Sequence, residues 1–196
     1  MRPRPFLAWA VALLSATGFA SAAQAAEIVD LMIDRDGARL LVSFQLVGGF
    51  DDSVRRKIES GLPTGFIYQI KLERVRKWWL NGTIENAQLE VFAMYNAITR
   101  EYLVNFKHDG KLIDSRTVRS LEAAENAMSI VHALPAFEVE ELPDARMVLR
   151  VRAVLGSKNF LGLFPTTLAT DWAEIRSIDQ PFGAGQPTAA IFPDSR

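Results

Sequence analysis

The stretch that decides the fold is Thr64–Trp78, TGFIYQIKLERVRKW. Phe66, Tyr68, Ile70 and Leu72 alternate with Gln69, Lys71 and Glu73. A period of two places the first set on one face of a β-strand and the second set on the other. One face is fit for burial and the other for water, which is the signature of an antiparallel sheet packed on one side. The same parity carries the apolar face into Arg74 and Arg76, just before Trp78 and Trp79. Burying a charge is costly unless it is paired. Three arrangements reconcile the arginines with the pattern. A β-bulge near Arg74 could turn them outward. The strand could run past the rim of the core. The arginines could be buried against acids such as Glu73, Glu90 or Asp171.

Other segments show the same alternation. Leu40, Val42, Phe44 and Leu46 share a face, as do Leu89, Val91, Ala93 and Tyr95, and Tyr102, Val104 and Phe106. In ARMVLRVRAVL, Met147, Leu149, Val151, Ala153 and Leu155 face one way, with Arg150 and Arg152 toward solvent. EIVDLMID (27–34) mixes apolar and acidic residues like an edge strand, and AFEVEEL (136–142) reads as a further strand. Turn signals separate these runs: Asp36-Gly37, Asn81-Gly82, a turn near Thr99, Asp109-Gly110 and Pro143-Asp144. Asn81-Gly82-Thr83 also matches a glycosylation acceptor, but the hairpin turn is the preferred reading. After Gly156 the pattern weakens, with one last strand expected near Trp172–Ile178.

Two segments carry helical spacing. Val54, Ile58 and Leu62 recur every four residues behind the capping candidates Asp51, Asp52 and Ser53. Val118, Leu121, Ala124, Met128 and Val131 form one helical face, with Asp114 or Ser115 as cap and Pro135 as stop. The expected class is therefore α+β and β-rich. We expect an antiparallel, two-layer, sandwich-like sheet of about seven to eight strands with helices near 53–62 and 115–134.

The first residues are organised differently. Arg2 and Arg4 precede an uncharged apolar run, Phe6–Ala20, and Ala23-Gln24-Ala25 gives the small-x-small pattern of a signal-peptidase site. The run is short for a membrane span. We expect cleavage after Ala25, a single β-rich domain over 26–179 and a flexible, mostly unstructured C-terminal tail over 180–196. The full chain has a formal charge of −1. Losing Arg2 and Arg4 with no acid makes it more acidic, which argues against nucleic acid as a partner. There is no cysteine, so disulfides, thiol catalysis, thiolate metal sites and lipidation at a cysteine are all excluded. Export without cysteine suits the periplasm of a Gram-negative cell, with secretion to the outside as the alternative. No second apolar stretch is long enough to cross a bilayer as a helix.

The residues offer little catalytic chemistry. Of the two histidines, His108 falls at a strand end and His132 in the expected last turn of the long helix, without metal-ligand spacing between them. No nucleophile elbow, S-x-x-K or phosphate-binding loop is present. Asp51-Asp52 and Glu138, Glu140 and Glu141 are acidic clusters that a helix cap and a solvated strand face explain. The expectation is a protein that is not an enzyme and holds no metal or cofactor. The residues with the strongest binding character are Arg74, Arg76, Lys77, Trp78, Trp79 and Trp172, since Arg and Trp dominate binding hot spots and Arg pairs with carboxylate or phosphate. Two further readings stay open: a carrier of a small molecule or lipid between the layers, and a hydrolase of envelope polymers using paired carboxylates.

LERVRKWW, YNAITREYLV, LRVRAVL followed by LFPTTL, and DWAEIRS occur in that order. With these pieces the chain resembles the bacterial domain-of-unknown-function family 4390, a group of small exported proteins, over roughly Ile28–Ser177. The resemblance implies no cofactor and no catalytic residue. Through the company its members keep, it implies a periplasmic partner for a membrane sensor kinase of the nitrogen-regulation type. The strand before Leu163-Phe164-Pro165 departs from the family pattern by lacking an acidic residue, and Trp78-Trp79 is more aromatic than the pattern requires.

Overall fold

A computed structural model describes residues 25–75, 82–138, 147–160 and 164–176. Expectations that fall on 1–24, 76–81, 139–146, 161–163 and 177–196 lie outside the described residues. These include the signal peptide, Arg76, Lys77, Trp78, Trp79 and the C-terminal tail.

The described residues form ten strands and two helices. In chain order they are β1 (Glu27–Asp36), β2 (Arg39–Val47), α1 (Asp52–Glu59), β3 (Thr64–Arg74), β4 (Gly82–Asn96) and β5 (Glu101–His108). β6 (Lys111–Val118), α2 (Leu121–Ser129), β7 (Ile130–Glu138), β8 (Met147–Phe160), β9 (Phe164–Ala169) and β10 (Ala173–Arg176) follow. Every strand pairing is antiparallel. One sheet has three strands in the order β1-β2-β7, and the other has seven in the order β10-β8-β3-β4-β5-β6, with β9 on β8. This is the α+β, β-rich class that the alternation implies.

One core lies between the layers. Leu40, Val42, Phe44 and Leu46 of β2 meet Phe66, Tyr68, Ile70 and Leu72 of β3, and all eight are buried. Phe44 and Tyr68 contact edge to face across the sheets, with ring centroids 4.9 Å apart. The small sheet is too narrow to cover β4, β5 and β6, and α2 supplies the missing cover through Ala124 and Met128. The Tyr68 hydroxyl crosses the core to donate to the Met128 carbonyl at 2.7 Å. It thereby satisfies one of the carbonyls that a helix end leaves without an intrahelical partner.

The short turns follow their sequence signals. Asp36 pairs with Arg39 around Gly37-Ala38. His108 pairs with Lys111 around Asp109 and Gly110, whose φ values of +47° and +80° suit a tight hairpin. Asp51 caps α1, its carboxylate accepting from the Val54 amide at 2.8 Å. The helix ends sooner than the stripe suggests. Gly61 adopts φ +80°, and the amides of Gly61 and Leu62 close back onto the carbonyls of Ile58 and Lys57. Ile58 is thus buried while Leu62, past the cap, is exposed.

The region expected as one helix over 115–134 is three elements instead. Lys111–Val118 is strand β6 on the edge of the large sheet, α2 covers only Leu121–Ser129, and Ile130 onward is strand β7. Ser120 is the cap, accepting from the Ala123 amide at 3.1 Å. Asp114 instead accepts from the Ser115 amide and the Arg116 guanidinium. The physical reason is strand pairing. β2 needs a second neighbour, and β7 completes its ladder while burying Val131, Leu134 and Phe137. Local helical spacing loses to that. His132 is accordingly a strand residue, its Nδ1 3.5 Å from the Ser43 hydroxyl. Pro135, with no amide hydrogen, sits where β7 is an edge strand with a register irregularity. A strand that the sequence did not single out, β9, pairs with β8 as far as Phe160↔Phe164.

Candidate functional site on the outer face of the large sheet

Alternation puts a polar surface on the side of the large sheet away from the core. Tyr68, Ile70 and Leu72 of β3, Ala87 and Leu89 of β4, and Val151 and Ala153 of β8 are buried. Their neighbours Gln69, Lys71, Asn86, Gln88, Arg150 and Arg152 therefore face outward. The register lines them up in rows. Arg152 stands opposite Gln69 and Gln69 opposite Gln88, while Arg150 stands opposite Lys71 and Lys71 opposite Asn86. Gln69, Lys71, Asn86, Gln88 and Arg152, together with Asp109, line an open groove of about 460 Å³.

Trp172 forms one end of the first row. Its position comes from Thr170, which is buried and latches onto Ala153 from both sides. The Thr170 amide donates to the Ala153 carbonyl at 2.9 Å, and the Ala153 amide donates to the Thr170 hydroxyl at 3.0 Å. The hydroxyl in turn donates to the Asp171 carbonyl at 2.9 Å. With Ala173 paired to Val151, Trp172 is placed beside Arg152. The Arg152 guanidinium carbon lies 4.5 Å from the centroid of the Trp172 ring, and the Lys71 ammonium lies 5.0 Å from it. Arg152 Nε donates to Gln69 Oε1 at 2.8 Å, which fixes the plane of the guanidinium.

Asp109 forms the other end. The Gln88 amide donates to its Oδ1 at 2.8 Å, and its own amide donates to the Gln88 carbonyl at 2.8 Å. The β5–β6 turn is thereby tied to β4.

The charges are unevenly neutralised. Arg150 is held by Glu174 at 2.6 Å and by Glu73 at 3.4 Å. Among the described residues, Lys71 and Arg152 have no carboxylate within 4.0 Å, and both rest on the indole instead. Two cations held without counter-ions at the mouth of a groove are suited to an anionic ligand. Among the described residues, no group of three or more His, Asp or Glu side chains could hold a metal ion.

Of the residues singled out in the sequence, Trp172 is at the edge of this groove, against the lining residues Lys71 and Arg152. Arg74 is not. It is the last residue of β3, exposed, and opposite Met147 and Gly82. Five positions separate it from Gln69, about 16 Å along a strand. Its exposure matches the arrangement in which β3 runs past the rim of the core. The register irregularity nearby belongs to β4, where Ile84 is the extra residue, while β3 and β8 stay in step through Arg74. Glu73 is buried and turns to Arg150.

Lys71, Gln69, Arg152, Asn86, Gln88 and Asp109 were missed as site residues. The outward alternation of Gln69-x-Lys71 and Arg150-x-Arg152 was visible, but the register joining the two strands was not.

A family model, domain of unknown function (DUF4390), matches residues 23–173. The match spans most of the chain, and the chain belongs to that family. No curated protein and no solved structure matches it.

Proposed function

We propose that this member of the DUF4390 family is an exported, non-catalytic binding module that works in the periplasm at the cell envelope. The observation that supports it most is the outer groove. Lys71 and Arg152 are seated on Trp172 and lack carboxylate partners among the described residues. A sheet that keeps two cations without counter-ions forgoes ion pairs it could make, as Arg150 one row away makes them. Asp109 is the one carboxylate in the described lining, where hydrolysis by a carboxylate pair needs two. The signal-peptide pattern over 1–25 supports export. A membrane sensor kinase of the nitrogen-regulation type is the partner this reading admits, and the exposed Arg74 at the end of β3 belongs to the surface offered to it. No helix among the described residues is long and apolar enough to cross a membrane.

The test has two parts. The full chain is expressed in a Gram-negative host, and the product should be recovered from the periplasm with Ala26 as its first residue. That purified product is then sedimented with isolated envelopes. It should cosediment saturably, and Trp172→Ala should weaken this several-fold. Retention in the cytoplasm with an intact N-terminus, or no saturable association, overturns the proposal.

A further inference from the structure

Resting on the binding-module reading, we infer that the outer groove binds an acidic saccharide. The ligand places a carboxylate on Lys71 and Arg152 and lays its hydroxyls along the amides toward Asp109.

The anionic end follows from the donors. Nε of Arg152 is taken by Gln69, which leaves the two terminal nitrogens as a fork for one carboxylate. The Lys71 ammonium shares the same indole and adds a second positive charge within the reach of that carboxylate. Neither cation has an acidic neighbour to displace, so a ligand carboxylate meets no competitor from the described residues.

The rest of the groove selects the body of the ligand. Its middle is amide: Gln69 offers its amide N–H groups while its Oε1 accepts from Arg152, Gln88 offers its Oε1 while its Nε2 lies 3.5 Å from Glu90, and Asn86 offers both, which together make the pairing set of sugar hydroxyls. Its far end is Asp109, whose Oδ1 accepts from the Gln88 backbone amide and whose carboxylate keeps further acceptor capacity for a ligand hydroxyl. Length separates the remaining classes. Arg152, Gln69 and Gln88 stand on three successive strands and Asp109 on the β5–β6 turn bonded to Gln88, which at about 4.8 Å per step spans roughly 14 Å. An α-amino acid, whose ammonium and carboxylate are borne on one carbon, cannot put that pair at both ends of the span. An inorganic phosphate would touch the cations and leave the amides unused. A disaccharide with a carboxylate at one end matches the span, and the volume of about 460 Å³ is in the range of small-ligand sites.

The exported chain is titrated by calorimetry with digalacturonate, with its dimethyl ester, in which both carboxylates are neutralised, and with inorganic phosphate. Digalacturonate should bind saturably, at least tenfold more tightly than the uncharged ester or phosphate, and more weakly as salt rises. Arg152→Gln and Lys71→Gln should each lower its affinity at least tenfold with the thermal midpoint unchanged within about 2 °C. Asn86→Ala should weaken it several-fold without altering the salt dependence. Equal affinity for acid and ester, phosphate binding as tight as the disaccharide, or unchanged affinity in Arg152→Gln each overturns the inference. Should the charge variants unfold, chemical-shift perturbation of the intact wild-type protein decides: shifts away from Gln69, Lys71 and Arg152 overturn it. The two proposals fail separately. If the protein cosediments with envelopes but ignores digalacturonate, the saccharide inference falls and the binding module stands. If digalacturonate binds while envelopes do not, the envelope role falls instead.

Discussion

Tyr68→Phe removes one oxygen from the centre of the molecule and nothing else. The Tyr68 hydroxyl is fully buried and donates to the Met128 carbonyl at 2.7 Å. The ring and its edge contact with Phe44 survive the change, so little apolar packing is lost. A net hydrogen bond contributes about 1 kcal/mol, and stranding its buried partner adds about 1 kcal/mol or more. The Met128 carbonyl lies in the last turn of α2 and has no intrahelical partner to fall back on. The expected cost is therefore about 2 kcal/mol. Urea unfolding at pH 7 should show a lower midpoint with an unchanged slope, and the melting temperature should fall by roughly 4 to 8 °C for a domain of this size. The pH dependence supplies a second reading. Burial pushes the Tyr68 hydroxyl far above its usual range, and burial followed by the nearby Glu59 pushes Tyr102 up as well. Both groups keep their protons in the folded state after the unfolded chain has begun to lose them. Their contribution is whole below about pH 10 and is lost above it, at about 1.4 kcal/mol per pH unit for the fully buried Tyr68 and by less for Tyr102. Tyr68→Phe should make that alkaline decline shallower. A variant within about 0.5 kcal/mol of the wild type at pH 7, with the same alkaline slope, would refute the reasoning.

Other substitutions test other joints of the fold. Gly65→Ala would place a Cβ 1.9 Å from the Val91 carbonyl oxygen and 2.6 Å from the Phe92 Cα. Both are backbone atoms of the paired strand, so the ladder must shift, and chemical denaturation should show a loss of about 3 kcal/mol. Asp51→Ala removes the cap of α1 and should cost about 1 kcal/mol in the same assay. Arg55 joins the two helices through a forked contact with Glu125, at 2.7 and 3.3 Å. Glu125→Gln should cost about 0.5 to 1 kcal/mol at low ionic strength, with the difference fading by 1 M salt.

What could be read from the sequence was what is local. Alternation in Phe66-x-Tyr68-x-Ile70-x-Leu72 marked both faces of β3, and Asp109-Gly110 and Asp36-Gly37 marked their hairpins, because side-chain direction and turn geometry are decided within a few residues. The segment around α2 was not local. Val118, Leu121, Ala124, Met128 and Val131 keep a helical period, yet only the middle three lie in the helix. Val118 ends the strand that pairs back across the Asp109-Gly110 hairpin to Tyr102, and Val131 pairs with Phe44, far away in the chain. The groove was hidden for the same reason. Trp172 could be marked as an aromatic residue suited to binding, but its neighbours depend on the register that sets Arg152 opposite Gln69 and on the Thr170 latch, both properties of the assembled sheet. Arg74 was read correctly as a strand-end cation, and the exposed position it takes is one of the three arrangements its parity allowed.

The most direct test of the account is amide and indole chemical-shift mapping of the exported protein titrated with digalacturonate. The account predicts saturable shifts at Gln69, Lys71, Asn86, Gln88 and Arg152, together with the indole N–H of Trp172, all lost in Arg152→Gln. Saturable shifts confined to the opposite layer, for instance along β1 and β2, or no shifts at all, would contradict it.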